Sequence, residues 1–156
     1  MRKTLLLIVL LFSLNLTSYS QKINYEKIRN SLTSITCGKN DTLTVITAKQ
    51  KLESLDTSSI NKNLYLYYSD LATSYLLFYI RNKDSVFLFK SIENYNKSLY
   101  HKSKYPKAYW QLSFCYYFFL RDCDRGKFYL TRYKKVEKEK YWDMEQIKML
   151  VAKCEK

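Results

Sequence analysis

The chain has 156 residues, a formal net charge of +13, sixteen tyrosines, two glycines and one proline. So few turn-forming residues argue against a β-sandwich, a barrel or a glycine-rich phosphate loop, whose turns lean on Gly and Pro. No Pro-, Gly- or Ser-rich linker interrupts the sequence, so one domain with one core is expected. Strong basic charge suits an anionic partner, of which nucleic acid is the usual one.

The amino-terminal segment changes the choice of partner. Arg2 and Lys3 precede an unbroken apolar run from Leu5 to Phe12, and the segment closes on Ser18, Tyr19 and Ser20 before Gln21. A charged start, a short apolar stretch and small residues at the cleavage positions predict a secretory signal peptide over residues 1–20. The run is too short for a span, which needs about 20 apolar residues. The segment resembles leaders of Gram-negative bacterial proteins. Periplasmic, outer-membrane-associated or secreted locations are therefore expected. Without residues 1–20 the charge is +11, because two cations and no carboxylates leave. Export argues against nucleic acid and toward a protein or peptide, an anionic envelope polymer or lipid headgroups.

Helical periodicity fills the rest. Seven helices are predicted, over about 22–34, 42–55, 62–81, 85–102, 107–121, 125–139 and 143–155. Tyr68, Leu71, Ala72 and Tyr75 recur 41 residues later as Tyr109, Leu112, Ser113 and Tyr116. Each set puts a large residue, Leu, a small residue and Tyr on one helical face, with the small residue at the closest approach of a neighbour. Ser91, Tyr95 and Ser98 follow the first set, before Pro106; Gly126, Leu130 and Tyr133 follow the second. A shift of 43 residues pairs Tyr25 with Tyr68, Ile28 with Leu71, Asp41 with Asp84, Ala48 with Ser91 and Leu52 with Tyr95, with Arg29 at the small position. Asp41 and Asp84 are expected as helix N-caps.

These positions resemble the tetratricopeptide family, whose first helix carries aromatic, Leu, small and Tyr and whose second carries small, aromatic and small before a proline. Residues 64–106 follow the pattern throughout; 107–138 follow it in the first helix and loosely in the second, where Tyr133 replaces a small residue. The resemblance implies an all-α solenoid of antiparallel helix-turn-helix repeats over residues 21–156. Its repeats would lie at about 21–60, 61–105 and 106–139, with a cap helix at about 143–155. The extra length between Tyr75 and Ser91 is expected as a longer first helix. A period near 42 also falls in the range of HEAT-type repeats.

The resemblance also nominates a binding groove on the first helices: Asp70, Thr73 and Leu77 in one repeat, and Trp110, Gln111, Phe114, Tyr117 and Phe118 in the next. Of the cations that the family sets on its groove to hold a terminal carboxylate, this sequence offers Lys107. In the same frame the cap helix runs parallel to the helix ending near Cys123, with Cys154 at its matching end. That makes Cys123–Cys154 the leading disulfide candidate among the four cysteines; the alternative is four free thiols, with Cys115 a small core residue.

Signals of catalysis are absent. One histidine, His101, cannot assemble the usual metal sites, and there is no nucleophile elbow and no nominated carboxylate pair. No metal, cofactor or catalytic residue is assigned. The expectation is an exported interaction module, the alternatives being a binder of anionic polymer or membrane surface and an enzyme of unrecognised type. Lys134, Lys135, Lys138 and Lys140 would serve the former; read structurally, they complement a helix dipole.

Overall fold

The computed structural model describes residues 30, 42–57, 60 and 63–154. The expected signal peptide, Asp41 and Cys37 lie outside the described residues, as does the first expected helix except for Asn30, which is helical and exposed. The chain divides into two units, Met1–Leu64 and Tyr65–Lys156. Every regular element among the described residues is a helix, and none is long and apolar enough to cross a membrane.

In the first unit, α1 runs Thr42–Glu53. Ala48 and Leu52, one turn apart, are buried on one face, while Lys49 pairs with Glu53 at 3.4 Å on the surface.

The second unit begins with an antiparallel helical pair, α2 (Leu64–Asn82) and α3 (Ser85–His101). Two serines fix its register. The Ser91 hydroxyl donates to the Ala72 carbonyl at 2.9 Å, and the Ser98 hydroxyl donates to the Tyr65 carbonyl at 2.6 Å. Seven residues forward along α3 is seven backward along α2, and both serines are fully buried. A hydroxymethyl group is small enough to let backbones approach this closely, and its hydroxyl is satisfied on arrival. Between the serines, buried Tyr95 meets the Thr73 hydroxyl at 3.0 Å.

Next come α4 (Pro106–Phe114), its continuation as a π-helical segment (Cys115–Leu120), and α5 (Cys123–Val136). Pro106 stands in the first turn of α4, where its missing N–H has no partner to lose. Tyr116 and Trp110 pack on Tyr129 and Tyr133 respectively, so α5 runs antiparallel to α4. A short 3₁₀ turn (Glu139–Tyr141) leads to α6 (Met144–Val151), whose Ile147 and Leu150 are buried with Tyr117, Leu130 and Tyr133.

Helix starts follow one chemistry. Asp84, Asp122 and Asp143 each accept a backbone N–H at 3.0 Å, from Val86, Arg125 and Gln146. In both hairpins the residue before the aspartate, Lys83 or Arg121, is left-handed, with φ of 59° and 55°. Two residues thus reverse the chain: an αL residue ends one helix and an Asp caps the next. Capping by Asp122 also explains why α5 starts at Cys123, ahead of the expected 125. The added length between Tyr75 and Ser91 is shared between arms. Relative to Tyr116 and Gly126, α2 extends three residues further and α3 starts three residues earlier. Both helices, rather than the first alone, gain nearly a turn.

The π segment explains how one helix serves two cores. Cys115 and Tyr116 pack with Ala72, Leu76 and Tyr95, whereas Tyr117 packs with Leu130 and Ile147. The wider i→i+5 turn crowds these consecutive residues toward the interior on both flanks.

Candidate functional site

An open cleft of about 640 Å³ lies between the α4–π helix and α6. One wall is Trp110, Phe114 and Phe118, successive residues four apart. The other is Gln146, Met149, Leu150 and Lys153, with Ala152 and Arg121 completing the lining. Phe114 and Phe118 are stacked at 5.2 Å with planes 8° apart, and Trp110 is braced from behind by Tyr133 at 5.3 Å. Their backing makes these rings a preorganised apolar surface. Phe118 is 40% exposed and Met149 57%, and the thioether opposite the rings supplies an adaptable contact.

The cleft is electrostatically one-sided. Arg121 and Lys153 line it and no carboxylate does. The Lys153 ammonium lies 5.1 Å from the Phe118 ring centroid. Arg121 is two residues before Cys123 and Lys153 one residue before Cys154, and these cysteines are joined by a disulfide with Cα atoms 5.8 Å apart. The bridge therefore gathers both cations at one end and ties the end of α6 to the start of α5.

Of the groove residues nominated above, the structure brings Trp110, Phe114 and Phe118 into this cleft. Tyr117 is instead 3% exposed, its ring against Gly126. Asp70 is buried, with the Lys107 ammonium at 3.7 Å. The Thr73 hydroxyl donates to the Ser69 carbonyl at 2.8 Å besides meeting Tyr95. Leu77 and Gln111 are half-buried and line no part of the cleft. Arg121, Met149 and Lys153 were not nominated. Only the docking of α6 through Ile147 and Leu150 brings Met149 and Lys153 opposite the rings.

Burial governs the titration of the interior. It pushes the Cys115 thiol up to about 12 and raises the Tyr95 phenol well above its usual value, the Thr73 hydrogen bond opposing in the latter case. Cys115 is the one free cysteine among the described residues. His101 is exposed and stacked on Tyr68 at 5.4 Å. Among the described residues, no group of three His, Cys, Asp or Glu side chains is placed to hold a metal ion.

No protein-family model matches the chain, and neither a curated protein nor a solved structure matches it.

Proposed function

We propose that this protein is an exported, non-enzymatic interaction module that binds a protein or peptide, with helical repeats built as in the tetratricopeptide family. The observation that carries the reading is the cleft between α4 and α6. Its volume of about 640 Å³ falls within the ~300–1,000 Å³ typical of ligand sites, and its walls combine braced aromatic rings with an exposed methionine. Rigid rings give contact area at small entropic cost, and a peptide side chain laid against them desolvates both surfaces.

The repeat arrangement draws support from matching positions in α2–α3 and α4–α5. Ala72 and Ser113 are buried at the small position of the first helix, and Ser91 and Gly126 at that of the second. Both pairs turn through an αL residue followed by a capping aspartate. Export rests on the predicted signal peptide, and a disulfide suits an oxidising compartment.

A second reading has its own observation. Lys127, Arg132 and Lys135, with one carboxylate, Asp124, surround the half-exposed Phe128 on α5, a mainly basic combination suited to anionic polymer or lipid headgroups. Photocrosslinkers placed at Phe118 and, separately, at Phe128 distinguish the two in intact envelopes. Peptide or protein adducts at Phe118 are expected. Adducts with lipid or polysaccharide at Phe128, and none at Phe118, would replace the first reading by the second.

A further inference from the structure

We infer that the cleft selects an acidic peptide segment in which a large apolar side chain has a side-chain carboxylate close to it in sequence. The inference rests on the peptide-binding reading above and adds the chemistry of the ligand. The apolar part is set by Trp110, Phe114 and Phe118 facing Met149 and Leu150, a slot with room for an aromatic or long aliphatic side chain. The charge is set by Arg121 and Lys153, which the Cys123–Cys154 bridge holds at the same end.

Charge complementarity fixes the sign. The lining holds two cations, and among the described residues no carboxylate forms an ion pair with either. Lys107, by contrast, is already engaged by Asp70. A basic segment would bring like charge to this rim; an acidic one brings the opposite charge beside a low-dielectric aromatic wall, where screening is weaker. The kind of carboxylate follows from exposure. Arg121 and Lys153 are both exposed at the edge of an open cleft rather than converging at a closed end. Rim cations of this kind meet a side chain on a passing strand, without requiring the strand to stop.

The test uses the oxidised, purified protein and short fluorescent peptides blocked at both ends. The reference peptide carries one phenylalanine followed by two aspartates. One control replaces the aspartates by lysines, and a second removes them but leaves the carboxyl terminus free. Binding is expected for the reference alone, weakening as salt rises. Exchanging both rim cations (Arg121→Glu with Lys153→Glu) should weaken it roughly tenfold or more and reverse the salt dependence, since salt then screens a repulsion. Phe118→Ala and Met149→Ser should each weaken it roughly three- to tenfold, and Met149→Ser, at the more exposed position, with unchanged melting temperature. Equal binding of the lysine peptide, or of the free-terminus peptide, would overturn the acidic-segment inference while the cleft stands, provided Phe118→Ala still weakens them. Binding that ignores both Phe118→Ala and Met149→Ser would overturn the cleft as the site.

Discussion

The ring of Tyr117 lies against the backbone of Gly126, so closely that a Cβ on Gly126 would fall 2.7 Å from Tyr117 Cγ and 2.8 Å from Cδ2. Those are the inner atoms of the ring, next to its own backbone, and they have no flexible arm on which to retreat. Glycine is here for space, in the interior of α5, where it otherwise costs about 1 kcal/mol relative to alanine. Gly126→Ala is therefore expected to destabilise by about 1–3 kcal/mol despite its better helix propensity. Tyr117→Ala, which removes Cγ and both Cδ atoms, should remove most of that penalty, so a double-mutant cycle by denaturant unfolding would show coupling between the sites. A stabilising Gly126→Ala would contradict the contact.

The start of α3 and the close approaches were legible because each depends on few atoms. An Asp at the head of a helix and small residues at helical spacing have local physical meanings, whereas α4 and α5 were expected from 107 and 125 and start at Pro106 and Cys123. The structure puts Asp84 on the Val86 N–H and Ser91 on the Ala72 carbonyl. The cleft was only half legible. In Cys115–Leu120 every side chain is apolar or aromatic, so no polar residue marks which side faces water, and a helix of 3.6 residues per turn was the default. In the wider π turn each residue advances less around the axis. Phe118 rather than Tyr117 then falls in line with Trp110 and Phe114. The opposite wall depends on where α6 docks, a long-range outcome of Ile147, Leu150 and the bridge at Cys154.

Lys83 and Arg121 occupy the same left-handed position in successive turns, with φ of 59° and 55°. A side chain there is strained, and glycine relieves it. Lys83→Gly is expected to stabilise the protein by about 0.5–1 kcal/mol and leave binding to the acidic peptide unchanged. Arg121→Gly should stabilise by a similar amount while weakening that binding. Thermal melts and peptide titrations on both variants separate the backbone effect, which they share, from the guanidinium, which only one site offers to the cleft. Equal loss of binding in both would show that the turns, rather than the Arg121 charge, matter.

The Cys123–Cys154 bridge closes a sequence separation of 31 residues, for which chain entropy gives about 3–4 kcal/mol of stabilisation. Cys123→Ser with Cys154→Ser is expected to lose stability of that order. The loss should concentrate in α6, whose eight residues are too few to hold as an isolated helix. Amide exchange read segment by segment should show α6 deprotected while α2 and α3 keep their protection. Peptide binding should weaken along with α6, because one wall of the cleft goes with it. Uniform deprotection across the helices would mean that α6 is not a separately released element.

Cys115 and Tyr95 are expected to weaken the fold at alkaline pH. Both are acids whose charged forms burial disfavours, the thiol being pushed up to about 12 and the phenol raised well above its usual value. In the unfolded chain they ionise near their ordinary values of about 8.5 and 10. Below about pH 8.5 both are neutral in either state, and stability is at its full value. As pH rises above that, the unfolded state gives up protons that the folded state keeps, so stability falls progressively toward pH 12. Denaturant midpoints measured from pH 7 to 11 should therefore decline, most steeply above pH 9. At pH 8 an aromatic disulfide reagent should leave Cys115 unmodified in the folded protein and react with it at once in denaturant. Fast reaction in the folded state would mean that the α4–π helix opens locally between the two cores it separates.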